Sequence, residues 1–310
     1  MGREPLAPGV WGIVATPFSG SALDVDHESL ARLVKAYEVL GATGLTVLGV
    51  FGEAAALDPA ERRAVLATVA AATSVPLVIG VTSLATRPAI AEIADAQHVL
   101  GDRLAAAMVQ LNSADPDVLA RHLRAVAEAT GAGIVAQNYP VSSGVSIDLD
   151  AELKALTSVP DLVAVKAEAA PTARRIATLV GRLDVPVFGG LGGIALIDEL
   201  ALGAAGAMTG FSYPEGLLET VHAFRAGGFE AARDAITPYL PLINFEQQPG
   251  IALAIRKTCL VERGLIAQSG VRAPARALPS VLLDQLHRHL RAVEATRADR
   301  ARRARDAGSR

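Results

Sequence analysis

Lys166 is the residue of this chain whose type and position most favour chemistry. It ends a run of apolar β-formers, Leu162-Val163-Ala164-Val165, in a chain of 310 residues that has only four lysines. A desolvated lysine, unlike arginine, can lose its proton and attack a carbonyl carbon. The alternative interpretation is a lysine that only marks where a strand emerges into water.

The segments that would position Lys166 alternate between short apolar runs and amphipathic helices. Such runs are typical of parallel strands that are covered on both faces. They span residues 10–16, 44–49, 76–81, 104–110, 133–138, 162–166, 186–190 and 206–211. Helix starts such as Asp58-Pro59 and Asp115-Pro116 combine an N-cap aspartate with proline at the first helical position. Eight strands with a helix after each predict an α/β fold, the (β/α)8 TIM barrel, and a doubly wound open sheet is the alternative.

Only helical patterns follow residue 211. We therefore expect a barrel over residues 8–226 and a C-terminal helical cap over residues 227–296. The last segment, residues 297–310, is rich in Arg, Asp and Ala, and we interpret it as a solvated or frayed tail.

Charge and composition exclude several classes of function. The net charge of −3 does not indicate a nucleic-acid or membrane partner. No apolar segment is long enough to span a bilayer, so a soluble cytoplasmic protein is expected. The single cysteine, Cys259, excludes an internal disulfide, and all six histidines fall in predicted helices. A metal hydrolase or a histidine-based acid–base enzyme is disfavoured, and neither a metal nor a cofactor is expected.

The active site of a (β/α)8 barrel lies at the carboxyl ends of its strands. Backbone N–H groups of a glycine loop there can bind a carboxylate, and a mostly uncharged pocket can lower the pKa of an amine by desolvation. Lys166 would occupy such a pocket. The residues predicted to line it, besides Lys166, are Gly49, Val50, Phe51, Gly52, Glu53, Gln137, Asn138, Tyr139, Glu168, Gly190 and Met208.

A resemblance to a known family rests on several motifs in a fixed order. These are the opening Gly12-Ile13-Val14-Ala15-Thr16-Pro17-Phe18, then Gly49-x-x-Gly52-Glu53, Asn138-x-Pro140 and Lys166. From about residue 10 to residue 290 the chain resembles the dihydrodipicolinate synthase / N-acetylneuraminate lyase family. The resemblance implies a class I aldolase-type barrel and a lysine Schiff base with pyruvate or another 2-oxo acid. It also implies a homo-oligomer, usually a tetramer built as a dimer of dimers.

Departures from the family pattern restrict the range of reactions that we expect of this chain. Val50 and Phe51 replace two threonines of the synthase branch, and Gln137 stands where a tyrosine usually carries protons. The arginine that holds a dicarboxylic aldehyde in the synthases would fall near Ser142 and is missing. The segment Gln137-Asn138-x-Pro140 is similar to the branch that dehydrates 2-keto-3-deoxy sugar acids, whereas Ser143-Gly144-Val145 is similar to the lyase branch.

We therefore interpret the protein as a Schiff-base lyase, either a hydro-lyase or an aldehyde-lyase, for a 2-keto-3-deoxy sugar acid with a polar, uncharged tail. The backbone around Gly52 would hold the C1 carboxylate, and Glu53 would organise its loop. Tyr139, Glu168 or a water molecule would carry the proton, although a salt bridge or helix cap is the preferred role of Glu168. Three alternatives remain: synthase-like condensation of pyruvate with an aldehyde, a non-catalytic barrel that binds 2-oxo acids, and a phosphate-handling barrel that uses the glycines of residues 189–193.

Overall fold

A closed barrel of eight parallel strands forms the centre of the computed structural model, which describes residues 3–308. The strands are β1 Gly9–Ile13, β2 Gly44–Val47, β3 Leu77–Gly80, β4 Leu104–Gln110, β5 Ile134–Asn138, β6 Leu162–Ala167, β7 Val187–Gly189 and β8 Gly206–Thr209. Strands β1 and β8 pair in parallel, with Gly9 opposite Gly206, and this pairing closes the sheet. The TIM barrel prediction is thereby confirmed, and the open sheet is excluded.

Helices connect and surround the strands. They are α1 His27–Val39, α2 Pro59–Ala72, α3 Thr86–Leu100, α4 Pro116–Thr130, α5 Pro140–Ser143, α6 Leu149–Leu156, α7 Thr172–Val180, α8 Leu196–Ala201, α9 Pro214–Ile236, α10 Leu240–Phe245, α11 Ala252–Glu262 and α12 Leu283–Gly308. The predicted start at Asp58 is a complete capping box with Glu61, and Asp115 caps α4. No helix within residues 3–308 is long and apolar enough to cross a membrane.

The apolar side chains separate into an inner and an outer layer because strand residues alternate between the two faces of the sheet. Trp11, Val78, Val135 and Phe188 fill the barrel interior. A larger cluster packs between the strands and helices α1 to α7. The inner layer fills the lower part of the barrel, and a cavity lies at the carboxyl ends of the strands.

The C-terminal region differs from the expected arrangement in its last segment. Helix α9 has a kink at Gly228, whose backbone angles are not helical, and a third hydrophobic cluster packs α9 to α12 together. Helix α12 extends to Gly308, so the segment interpreted as a frayed tail is helical over residues 297–308. Its last two residues, 309 and 310, lie outside the described residues. A short hairpin of Phe18–Ser19 and Asp24–Val25, not anticipated from the sequence, precedes α1.

Candidate active site

Lys166 points into the barrel because of the alternation along β6. Ala164 belongs to the inner layer and Val165 to the outer layer, so the next side chain faces inward again. Lys166 lines a cavity of about 650 Å³ at the carboxyl ends of the strands, and only 4% of its side chain is exposed. Its amine is therefore largely shielded from bulk solvent and borders a cavity that is large enough for a small ligand.

Glu168 lies beside this amine, with its Oε2 2.9 Å from Lys166 Nζ. Gln137 Nε2 donates to the same oxygen at 2.7 Å, and the Leu191 N–H donates to Oε1 at 3.2 Å. Gly190 leaves the space that this carboxylate occupies, since a Cβ there would overlap with Oε1 and Cγ of Glu168. Gln137, Glu168 and Gly190 thus belong to one arrangement that fixes a carboxylate next to the amine.

Tyr139 also lines the cavity, as its position two residues after Gln137 predicts. Burial raises the pKa of Tyr139, and the charge of Glu168 raises it further, while Arg256 lowers it. A phenol with a raised pKa stays protonated near neutral pH. Tyr139 is therefore a protonated phenol that lines the same cavity as Lys166 and Glu168.

The glycine loop after β2 is a tight turn whose own hydrogen bonds use several of its N–H groups. The Gly52 N–H donates to the Gly49 carbonyl at 3.0 Å, and the Glu53 N–H donates to the Val50 carbonyl at 3.1 Å. Gly49 and Gly52 consequently shape the turn and do not line the cavity, whereas Val50 and Phe51 do. Within residues 3–308 no hydrogen bond uses the N–H of Val50 or of Phe51. The N–H groups of this turn that remain for a ligand are therefore those of Val50 and Phe51, one or two positions before Gly52.

Glu53 connects this loop to the C-terminal cap. Its Oε1 accepts from Nζ of Lys257, a second buried lysine, and its Oε2 accepts from the Arg272 N–H at 2.8 Å. The Lys257 ammonium also lies 4.1 Å from the centre of the Phe18 ring. Burial lowers the pKa of Lys257, and the Glu53 carboxylate opposes that shift. Glu53 lines the cavity and Lys257 does not, so Lys257 holds the loop through its pair with Glu53.

Asn138 and Met208, two further residues that were predicted to line the cavity, also lie elsewhere. Asn138 follows Gln137 directly in β5 and so faces outward, where its Nδ2 donates to Glu152 Oε2 at 3.0 Å. Glu152 is paired in turn with Arg175. Met208 is completely buried in the barrel interior, below the cavity. Both residues support the barrel and do not line the cavity.

Arginine side chains line the outer part of the cavity, and the sequence did not indicate them. Arg256 comes from α11, and Arg272 and Arg276 come from the segment that follows it. The expectation of a mostly uncharged pocket is therefore wrong in this part. These arginines do not follow any strand in the sequence, because the packing of the cap brings them to the barrel mouth. They could therefore not be predicted from the strand ends.

The arrangement of a buried lysine at the end of β6, a glycine turn after β2 and a helical cap matches a known family. The family model described as "Dihydrodipicolinate synthetase family" matches residues 7–293. The chain belongs to this family. Members of the dihydrodipicolinate synthetase family act through a lysine Schiff base on pyruvate-type substrates, and the family includes synthases, aldolases and dehydratases.

Individual relatives come from more than one branch of the dihydrodipicolinate synthetase family. The 4-hydroxy-tetrahydrodipicolinate synthase of Porphyromonas gingivalis is 29% identical over 84% of this chain and 88% of its own length. The L-2-keto-3-deoxyarabonate dehydratase of Azospirillum brasilense is 28% identical over 87% of this chain and 89% of its own. The solved dihydrodipicolinate synthase of Rhodopseudomonas palustris superposes with a TM-score of 0.85 at 29% identity, covering 94% of this chain and 99% of that one. Because the chain is similar to both branches, overall similarity does not distinguish their reactions. The reaction has to be inferred from the site residues.

Proposed function

We propose that the protein is a lyase that dehydrates or cleaves a 2-keto-3-deoxy sugar acid through an imine on Lys166. The observation that carries the proposal is the pairing of Lys166 Nζ with a fixed carboxylate, Glu168, inside a cavity of about 650 Å³. Synthase-like condensation is the second candidate, favoured by the similarity to the Porphyromonas gingivalis synthase.

Imine formation needs a neutral amine and a place for its proton. Glu168 Oε2 lies 2.9 Å from Nζ, within direct transfer distance. After the proton moves to Glu168, the Nζ lone pair attacks C2 of the 2-oxo acid. The carbinolamine then takes up a proton and loses water, which leaves an iminium that draws electrons from C3.

Two outcomes follow from the iminium, and they differ in which proton is removed. In dehydration, a base removes a C3 proton to give an enamine, which then expels the protonated C4 hydroxyl as water. In retro-aldol cleavage, a base removes the proton of the C4 hydroxyl, and the C3–C4 bond breaks to release an aldehyde. Glu168 is the base nearest to the imine nitrogen, and the Tyr139 phenol is the donor for the departing hydroxyl.

We propose that the loop after β2 binds the C1 carboxylate. The side chains of Val50 and Phe51 line the cavity, and within the described residues their N–H groups have no hydrogen-bond partner. Backbone N–H groups in a tight turn are good anion donors. We therefore place the carboxylate at Val50 and Phe51 instead of at Gly52.

A substrate panel tests the proposal. The purified protein is incubated with 2-keto-3-deoxy acids of five and six carbons, and the products are identified by NMR and mass spectrometry. The proposal predicts either a 2-oxo acid lighter by one water or pyruvate together with an aldehyde, and neither product with Lys166→Ala. Formation of a new C–C bond from pyruvate and an aldehyde, without cleavage of any deoxy acid, favours the synthase. Imine formation without any product favours a non-catalytic binding protein.

We also propose that the chain assembles as a tetramer, a dimer of dimers. Support comes from the family pattern and from Val141, which is 84% exposed beside the cavity although it is apolar. Light scattering after size-exclusion chromatography tests this, with an expected mass four times the 32.0 kDa of the chain. A monomer at micromolar concentration contradicts it.

A further inference from the structure

The outer part of the cavity has guanidinium donors without a hydrogen-bond partner among the described residues. We propose that Arg256 and Arg276 form an anion subsite for a second acidic group, a carboxylate or a phosphate, at the far end of the 2-oxo acid. This inference rests on the proposed function and changes the expected substrate from one with an uncharged tail to a dianion.

Arg276 lies at the cavity mouth without an acidic partner. Within residues 3–308, no hydrogen bond or ion pair engages its side chain, although it lines the cavity and is exposed. Its guanidinium packs against Gly250, where an added Cβ would overlap with Nη2. The side chain is thus placed by a backbone contact, and its charge is available to a ligand.

Arg256 is more buried and is oriented by the protein. Its Nε donates to Glu246 Oε2 at 3.1 Å, and only 12% of its side chain is exposed. The guanidinium lies over the Phe51 ring at 5.3 Å, and Nη2 would be 3.1 Å from a Cβ at Gly192. No hydrogen bond within the described residues uses Nη1 or Nη2. Glu246 therefore fixes one edge of the guanidinium and leaves the other edge for a ligand.

A third donor lies next to this edge. Gln247 Nε2 is buried and has no hydrogen-bond partner among the described residues. It lies close to Gly192, since an added Cβ there would overlap with it. A buried amide without a partner is costly in a folded protein, and a ligand oxygen would remove that cost. Gln247 and Arg256 both line the cavity, and nitrogens of both lie beside Gly192.

Arg272, the third arginine of the cavity, differs from the other two because its guanidinium has partners within the protein. Its guanidinium forms two hydrogen bonds with Glu61 and others with the carbonyls of Leu23 and Ala56. Its donors are occupied by the chain, so it holds the loops together. The subsite is consequently limited to Arg256 and Arg276, with Gln247 beside them.

The two ends of the cavity are compatible with one dianionic ligand. The Arg256 guanidinium packs over the ring of Phe51, the residue whose N–H we propose as a donor to the C1 carboxylate. Arg256, Tyr139 and Glu168 all line the same cavity as Lys166. A ligand would therefore extend from Lys166 past Tyr139 to the arginines.

The experiment uses imine trapping, which needs no turnover. The full chain is titrated with 2-oxoglutarate and 2-oxoadipate, and with the monoacids 2-oxopentanoate and 2-oxohexanoate, in the presence of borohydride. The half-saturating concentration for the adduct on Lys166 is read by mass spectrometry. The proposal predicts that diacids saturate at lower concentration, and that Arg276→Met reduces the preference for diacids about 2- to 5-fold, the range for an ion pair at an exposed side chain. A phosphorylated 2-oxo acid in the same titration distinguishes a phosphate from a carboxylate as the preferred group.

Two further variants test whether the preference for diacids comes from the proposed subsite. Arg256→Lys keeps a cation beside Glu246 but removes the free Nη edge, and it should also reduce the preference. Arg288→Met removes an exposed arginine of α12 and should leave the preference unchanged. Adducts on Lys166 with equal affinity for diacids and monoacids would overturn the subsite alone. The lack of any adduct on Lys166 would contradict the proposed function and the subsite together.

Discussion

The amine of Lys166 lies 2.9 Å from Oε2 of Glu168, and both side chains are more than nine-tenths buried. Two neutral donors, the Gln137 amide and the Leu191 N–H, hold the carboxylate in this position. The same oxygen that balances the charge of the ammonium is therefore placed to receive its proton.

Replacing Glu168 should affect the reaction more than the fold. We expect Glu168→Gln to lower kcat about 10²- to 10⁴-fold, because a positioned acid–base group contributes that much. The rate is measured under single turnover with the best substrate of the panel, and the imine is trapped in parallel. Glu28→Gln, at a side chain that is 90% exposed, is the matched control and should keep the full rate. A rate within a factor of three of the unmodified protein would show that Glu168 serves only as a salt bridge.

Gly190 should be required because it leaves room for Glu168. A Cβ at this position overlaps with the carboxylate, and its φ of −133° lies outside the left-handed region. Gly190→Ala should thus displace Glu168 and reduce kcat, while thermal unfolding shows that the fold is kept. Gly181→Ala is the control, since its nearest atom is at 3.5 Å. Equal kcat for the two variants would mean that the position of Glu168 is not important.

The Lys257–Glu53 pair should contribute mainly to stability. Lys257→Met leaves the Glu53 carboxylate buried and without its ammonium partner, and breaking such a pair costs about 3–5 kcal/mol. Urea unfolding measures the loss. The double variant Glu53→Gln/Lys257→Met should recover part of it, because it leaves no unpaired charge. A loss below about 1 kcal/mol for Lys257→Met would contradict a structural role for the pair.

Glu199 should make stability depend on pH. It is 1% exposed, and burial raises its pKa from 4.5 to about 7. Between these two values the folded state holds a proton that the unfolded state has lost, so the free energy of unfolding falls as pH rises. Glu199→Gln should remove this fall and gain about 1–3 kcal/mol at pH 8 relative to pH 4. The free energy of unfolding of the unmodified protein and of Glu199→Gln is measured at both pH values. The same pH dependence in both proteins would contradict the shifted pKa.

Local patterns in the sequence were sufficient for the barrel and for the lysine. Continuous apolar runs mark buried parallel strands, and alternation along β6 places Lys166 inside. The same alternation could have separated Gln137 from Asn138, because neighbouring residues of one strand cannot both face the cavity. Because the family motif contains both residues, both were predicted to line the cavity. Of the two, only Gln137 does so.

Contacts between distant segments could not be read from local patterns. Lys257 lies 204 positions from Glu53 in the chain, and Arg256 and Arg276 reach the cavity only through the packing of the cap. The donor positions in the glycine loop depend on which N–H groups the turn consumes, and this is a property of the folded backbone. The sequence therefore predicted the nucleophile, while the charge of the outer cavity required the fold.

Borohydride trapping with pyruvate, followed by peptide mapping, tests the central claim most directly. The protein contains two buried lysines, so the position of the adduct is decisive. We predict one reduced pyruvyl adduct on Lys166, which is lost in Lys166→Ala, and no adduct on Lys257. An adduct that persists in Lys166→Ala, or no adduct at saturating pyruvate, would contradict the account.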